Sequence, residues 1–480
     1  MKDDAIYLAM DQGGHASRAA VIDQHGHILT QQAQAIGTLH RSDDVIEHDP
    51  VEVVESLRVV ARRAVTDLGD DARRLAGAGL ATQRSNVVCW DKENGRALSP
   101  IISWQDRRGR HWLERLAGSA AQVRQRTGLI LSAHYGASKL RWCLDNLEAV
   151  RAAAAGNSLA WGPMASFLVY HLLDERPLVA DPVNASRTLL YNPARGGWDG
   201  DLLELFGLPA PPLPRCVPSR YPYGHLSIGD LRIPFTVLTG DQSAALFAMG
   251  RPDFDAVYVN TGTGVFLQRC SDRLADRAGL LQSVVWRDGD TEIYALEGAV
   301  NGGAGALHHE AGRLGISDME ARLPRWLEHR REPPLFLNGV GGLGSPYWVA
   351  GFASRYIGEG DAAACLVAVA ESIVFLVQRN LEVFAGDGRR PGKLIISGGL
   401  AALDGLCRKL AALAGVPVFR SPNIEATLCG LGYLLAGVPI EYPRPPWQHV
   451  FEPQPDALIK NRYQRWRAAM ETAVGHRSQP

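Results

Sequence analysis

The chain has 480 residues, 46% of them hydrophobic, with a formal net charge of −1. That length exceeds what one hydrophobic core supports, so two domains are expected, and the near-neutral balance excludes nucleic acid or an anionic membrane surface as the main partner. Cys89, Cys143, Cys216, Cys270, Cys365, Cys407 and Cys429 are widely spaced without a C-x-x-C pair, which excludes a structural zinc site and predicts reduced thiols.

At the N-terminus, Met1-Lys2-Asp3-Asp4 lacks the basic flank of a signal peptide, and no uninterrupted run of about 18 apolar residues occurs anywhere. No membrane span and a cytoplasmic location are therefore expected. Residues 5–10 read as a buried strand, residues 11–18 as a glycine-bearing connection and residues 19–23 as a returning strand. Such a hairpin can hold phosphate and metal: the N–H groups of its glycines meet phosphate oxygens, and Asp11 holds hydrated Mg²⁺. An ordinary hairpin, with Gly13-Gly14 supplying positive φ, explains the same residues.

Residues 50–68 place Val53, Val54, Leu57, Val60, Ala61, Ala64 and Leu68 at helical spacing, as a scaffold helix does. Next come Thr82-Gln83-Arg84-Ser85 and Ser103-Trp104-Gln105-Asp106-Arg107-Arg108. Arginine, tryptophan and carboxamides near strand ends suit a polyhydroxylated ligand, since indole covers C–H faces while Arg and Gln bond hydroxyls. Each is also an ordinary structural residue when taken singly, Arg107 and Arg108 as a solvated helix start. Lys139, Trp142 and Leu144 fall in a helical run packed on a sheet. The prolines from Pro209 to Pro214 read as a loop within the first domain.

The centre of the chain is the run from Val237 to Phe247, where Gly240-Asp241 joins a buried strand to a small-residue helix. Open α/β sheets put their chemistry at such a junction. A carboxylate there suits a general base for a substrate hydroxyl, and an N-cap aspartate is the plain alternative. Residues 256–268 repeat the strand, glycine loop and strand, with Gly262-Thr263-Gly264 at the turn. Two such units imply related domains, residues 1–242 and 243–480, facing each other across a nucleotide. Gly262-Thr263-Gly264 is not the Rossmann fingerprint, since no G-x-G-x-x-G precedes a helix there, and no P-loop occurs in the sequence. His308-His309-Glu310 lacks metal-ligand spacing. Residues 393–400 read as a buried strand ending in Gly398-Gly399, followed by a helix through Leu406, Leu410 and Leu413.

Asp11-Gln12-Gly13, Ile46-Glu47-His48-Asp49-Pro50, Gln83-Arg84, Asn184-Ala185-Ser186-Arg187-Thr188, Gly240-Asp241-Gln242, Gly262-Thr263-Gly264, residues 294–300 and residues 342–348 occur in the order seen in FGGY carbohydrate kinases. The chain resembles that family over almost its whole length, and most of all its glycerol-phosphorylating branch. The resemblance implies an α/β fold of two ribonuclease-H-like domains of the actin, sugar-kinase and heat-shock chaperone superfamily. ATP and Mg²⁺ would occupy the interdomain cleft, with a small-molecule polyol or sugar as partner; a homodimer is admitted. Carried over by residue, Asp241 is the base, and Asp11 and Asp241 are the metal ligands. Gly13, Gly14, His15, Arg18, Gly262, Thr263, Gly303, Gly398, Gly399 and Leu400 surround ATP. Arg84, Ser85, Trp104, His134, Asp241, Gln242 and Phe266 surround the acceptor.

The implied activity is transfer of the γ-phosphoryl group to a hydroxyl of a small polyol or sugar. The alternatives are a ketose kinase, such as xylulokinase or ribulokinase, and a catalytically weak sugar and nucleotide sensor. Gly14, His15, Ser85 and His134 depart from the pattern. Gly14 and His15 replace two threonines, leaving His15 either a cationic phosphate ligand or a solvent-facing ring. Ser85 stands where the glycerol-phosphorylating branch carries glutamate, and His134 near its pocket tyrosine. A longer polyol or a ketose is accordingly expected to be preferred over glycerol.

Overall fold

Alternation along the first strand sets the architecture. In β1 (Ile6–Gln12), Ile6, Leu8 and Met10 join one hydrophobic cluster while Tyr7 and Ala9 pack against another, as a strand buried on both faces requires. The structure, a computed structural model, describes residues 4–209, 213–289, 291–329, 332–386, 388–422, 425–437 and 446–475. β2 (Ala16–Asp23) returns antiparallel to β1, β3 (Ile28–Ala35) follows it, and β4 (Leu75–Thr82) runs parallel to β1. β5 (Arg220–Ile228) and β6 (Leu231–Gly240) complete a six-stranded sheet of order β5-β6-β4-β1-β2-β3. The expected connection over residues 11–18 contracts to residues 13–15, because the Gly13 N–H bonds the Ala16 carbonyl at 3.0 Å and strand pairing runs on through Asp11 with Arg18 and Gln12 with Ser17.

The second sheet repeats the plan. It is built from β7 (Ala256–Thr261), β8 (Val265–Ser271), β9 (Leu281–Asp288), β10 (Thr291–Val300), β11 (Lys393–Ser397), β12 (Val418–Arg420) and β13 (His449–Phe451), in the order β9-β10-β8-β7-β11-β12-β13. In each sheet an antiparallel triplet, β3-β2-β1 or β10-β8-β7, is continued by parallel strands, β4-β6 or β11-β12. That shared order is the ribonuclease-H-like plan, present twice.

Helices cover both faces. In α1 (Pro50–Thr66), Asp49 accepts from the Val51 and Glu52 N–H groups, proline fills the first turn, and Val53, Leu57, Val60 and Ala61 pack against Leu8 and Val21. α2 (Gly136–Asn146) carries Lys139, and α3 (Asp241–Ala245) follows β6 directly. α4 (Ala362–Phe384) is the one described helix long and apolar enough to cross a membrane, with a mean hydropathy of 1.7, and 72% of that stretch is buried. It is the central helix of the second core. Its Glu371, which breaks the apolar run in the sequence, is satisfied by Lys409 at 2.9 Å and Arg462 at 2.6 Å.

One helix crosses over. α5 (Ala426–Ala436), far along the chain, packs on β1, β4 and α3 of the first half. A Cβ on Gly432 would meet Ile22 at 3.0 Å, and one on Gly430 would overlap the Ala244 carbonyl, so glycine at both positions sets how closely α5 approaches. Leu428 and Leu431 of α5 join Ala9, Ile22 and Ala81 of the first sheet and Trp286, Ile293 and Ala295 of the second in one cluster. That cluster is the floor on which the two sheets meet. Of the proline-rich stretch, residues 210–212 lie outside the described residues.

Candidate functional site

Three parallel strand ends meet above this floor. β1, β4 and β6 are in register at Gln12, Thr82 and Gly240, which brings Asp11, Gln83, Arg84 and Asp241 to one carboxyl edge. Gly240 is the N-cap and Asp241 the first residue of α3, so the aspartate is not the cap. Its Oδ1 accepts the Gln242 N–H at 2.7 Å. The protein atoms crowded around Asp241 raise its pKa above the ordinary carboxylate range, against the pull of Arg84.

A cavity of about 530 Å³ opens here between the two sheets, within the roughly 300–1,000 Å³ common for small-molecule sites. Arg84, Trp104, His134, Asp241, Gln242 and Phe266 all line it. Phe266 is 41% exposed on β8, an apolar ring held open toward the cavity. The Trp104 backbone N–H donates to Asn86 Oδ1 at 2.7 Å, and the Trp104 ring lies 5.5 Å from the His134 ring. Ser85 departs from its expected place. It is buried at a φ of 67°, its hydroxyl has no hydrogen-bond partner, and it stands behind the cavity wall, where its carbonyl accepts from Lys139 Nζ at 3.1 Å.

The cavity also holds groups to which the sequence reading gave no role. Arg84 donates to Glu297 Oε1 at 3.2 Å and to Gln242, while Arg187 donates to Glu297 Oε2 and to the Ser283 hydroxyl, each at 2.9 Å. Gln268 adds a bond to Glu297 at 3.0 Å, and the Arg187 guanidinium sits 5.2 Å above the Tyr135 ring. Glu297 of β10 thus ties two arginines of the first half across the cleft. Burial by itself would raise its pKa; Arg187 and Arg84 outweigh that and hold the carboxyl down at about 2. The only sequence signal for Arg187 and Glu297 was their place inside the motifs at 184–188 and 294–300.

The glycine hairpins flank the cavity without lining it. Gly13 and Gly14 form the first turn with His15 exposed at the tip, and Arg18 donates to Asp11 Oδ2 at 3.4 Å. Asp11 Oδ1 is buried without a partner, and burial together with the charge of Asp241 pushes the Asp11 pKa up to about 7. A carboxylate so placed is stabilised by a cation. Mg²⁺ takes one or two protein carboxylates plus phosphate oxygens and water, so Asp11 and Asp241 fit the metal of a nucleotide complex. Among the described residues no cluster of three His, Cys, Asp or Glu forms a metal site without those phosphates.

At the second hairpin the Gly262 N–H bonds the Gly264 carbonyl at 2.9 Å. The N–H groups of Gly303 and Gly305 are spent on the Thr263 carbonyl, and that of Ala304 on the Gly262 carbonyl, all at 3.0 Å. Gly303 therefore buttresses the loop of Gly262 and Thr263; a Cβ there would lie 2.8 Å from the Gly264 carbonyl carbon. Gly398, at a φ of 87°, approaches the end of β7 so closely that a Cβ would overlap the Thr261 carbonyl, whereas a Cβ at Gly399 would meet open space. The Leu400 side chain belongs to the second hydrophobic core.

Residues 6–248 match the N-terminal domain, and residues 257–438 the C-terminal domain, of the FGGY family of carbohydrate kinases. The chain belongs to this family. It is 33% identical over 496 residues to glycerol kinase of Burkholderia ambifaria (strain MC40-6), and 32% identical over 494 residues to glycerol kinase 2 of Thermotoga maritima, with 98% of each chain covered in both comparisons. Among solved structures, the glycerol kinase of Plasmodium falciparum with ADP aligns over 99% of each chain at a TM-score of 0.89 and 20% identity. A xylulose kinase from Brucella ovis aligns over 98% of this chain and 100% of its own at 0.86 and 20%. As an FGGY kinase, the protein is an alcohol-acceptor phosphotransferase that uses ATP and a small-molecule carbohydrate or polyol.

Proposed function

We propose that the protein transfers the γ-phosphoryl group of ATP to a hydroxyl of a polyol or sugar longer than glycerol, with Asp241 as the general base. The observation that carries this reading is the cavity between the sheets, where Asp241 at a strand end shares one space with Arg84, Trp104, Gln242 and Phe266. The preference for a longer acceptor is supported by a volume of about 530 Å³ and not by Ser85, whose side chain is outside the wall. In the reaction the acceptor oxygen forms a bond to the γ-phosphorus, its proton passes to Asp241, and the bond from that phosphorus to the bridging oxygen of ADP breaks. Arg84, which donates to both Gln242 and Glu297, orients the hydroxyl together with Gln242; Trp104 and Phe266 cover the carbon chain. Mg²⁺, held by Asp11 and Asp241 with the nucleotide, would neutralise phosphate charge. The hairpins at Gly13-Gly14 and Gly262-Thr263, with Arg18 and the open face at Gly399, would hold the nucleotide beside the cavity.

The experiment is an ADP-release screen of glycerol, erythritol, arabitol, xylulose and ribulose, with the product identified by phosphorus NMR. Phosphorylation of a four- or five-carbon acceptor ahead of glycerol is expected. Glycerol leading the panel by tenfold or more would refute the preference, and hydrolysis of ATP without any phosphorylated acceptor would refute the transfer.

A further inference from the structure

The charges around the acceptor cavity do not balance. Three guanidinium groups line it, Arg84, Arg107 and Arg187, against two carboxylates, Asp241 and Glu297. Glu297 is shared by Arg84 and Arg187, at 3.2 and 2.9 Å. Among the described residues Arg107 donates only to the carbonyls of Trp104 at 2.8 Å and Asp106 at 3.2 Å and forms no ion pair. Asp106 and Asp44 act on it through space, but their close partners are Arg108, shared by Asp106 and Glu47, and Arg110 for Asp44. Behind the wall Lys139 is fully buried; its Nζ meets the carbonyls of Ser85 at 3.1 Å and His134 at 2.7 Å with no carboxylate in ion-pair reach among the described residues, and burial holds its pKa well below the ordinary lysine value. The Ser85 hydroxyl and Arg187 Nε are unpartnered in the same region.

Buried cations without a counter-charge are costly. The fields of Arg187, Lys139, Arg107 and Arg84 converge on His134; burial first, and then these cations, hold its pKa well below the ordinary imidazole value, so the ring is neutral and can accept a hydrogen bond.

We infer that the acceptor itself carries one anionic group, a carboxylate or phosphate monoester on a polyhydroxylated chain, received by the Arg107 guanidinium beside Trp104 and His134 while one of its hydroxyls meets Asp241. The inference rests on the kinase reading above and names the class of its acceptor. A guanidinium fork matches either anion with two parallel hydrogen bonds, which an ammonium cannot do. Arg107 is then a specificity-determining residue. The anionic group is a handle and takes no part in the transfer, whose bonds are those already given.

The test measures kcat/KM at fixed ATP and Mg²⁺ on matched pairs: glycerol with glycerate, erythritol with erythronate, ribitol with ribonate, and erythritol with erythritol 4-phosphate. The anionic member of a pair should exceed its neutral partner by about tenfold or more, and the class that leads identifies carboxylate or phosphate. R107Q should remove about tenfold from the anionic member while changing the neutral one by less than about threefold, which mere structural damage would not do. S85E, which puts a carboxylate beside Lys139, should shift preference toward the neutral member. Neutral acceptors turned over as well as their acids, or an R107Q loss equal for both, would overturn the inference and leave the kinase reading standing. No transfer to any member would overturn both.

Discussion

Replacing Glu297 by Gln tests the electrostatic tie across the cleft. The residue is 7% exposed, and its carboxylate accepts from Arg84, Arg187 and Gln268. Gln keeps the shape, so no cavity term enters, but both arginines lose their shared counter-charge. The displacement of the carboxyl from 4.5 to about 2 corresponds to about 3 kcal/mol, at about 1.4 kcal/mol per tenfold. Removal of one partner from a buried pair costs about 3–5 kcal/mol in general, so the two arguments agree. Because the folded pKa lies below the unfolded one, this stability is fully present above pH 4.5 and is lost as pH falls toward 2. Urea unfolding of wild type and Glu297→Gln at pH 7 should differ by about 3 kcal/mol, and the difference should narrow as pH falls below 4.5. The acceptor KM should rise as well, since Arg84 loses its anchor. A difference below about 1 kcal/mol at pH 7, or one that does not change with pH, would show that the arginines are neutralised by something other than Glu297.

Asp241→Asn should fold normally and lose phosphoryl transfer by at least about a hundredfold in single turnover, with nucleotide affinity little changed; near-wild-type turnover would remove Asp241 from the base role. Asp11→Ala should raise the Mg²⁺ concentration needed for half-maximal activity and lower the maximal rate while acceptor binding survives, and an unchanged Mg²⁺ dependence would make Asp11 merely structural. Gly430→Ala, whose Cβ would overlap the Ala244 carbonyl, should lower the melting temperature and kcat together, because α5 can yield only by pushing on α3 and thus on Asp241. Gly399→Ala, with open space around its Cβ, should leave the melting temperature within about 1 °C of wild type.

The local signals in the chain were enough to set its local structure. Alternating and continuous apolar runs marked β1, β6 and β7, Asp49-Pro50 opened α1 at the right residue, and paired strand–glycine–strand units announced two related sheets. Asp241 was legible for the same reason, as a carboxylate at a strand-to-helix junction has a one-dimensional signature. What tertiary structure decided was which distant groups share one space. Glu297 meets Arg84 across 213 residues and Arg187 across 110, and no periodicity records such pairings. Ser85, adjacent in sequence to Arg84, is turned behind the wall by a positive φ that its neighbours do not foretell. The N–H groups around Gly303 look available for phosphate in the sequence and are consumed by the Thr263 and Gly262 carbonyls in the fold. α5 belongs by position to the second half of the chain, yet Gly430 and Gly432 let it lie on the first sheet and join the two cores. Backbone propensity and burial act between near neighbours and so are written along the chain; charge pairing and close packing act through space and exist only once the two sheets have met.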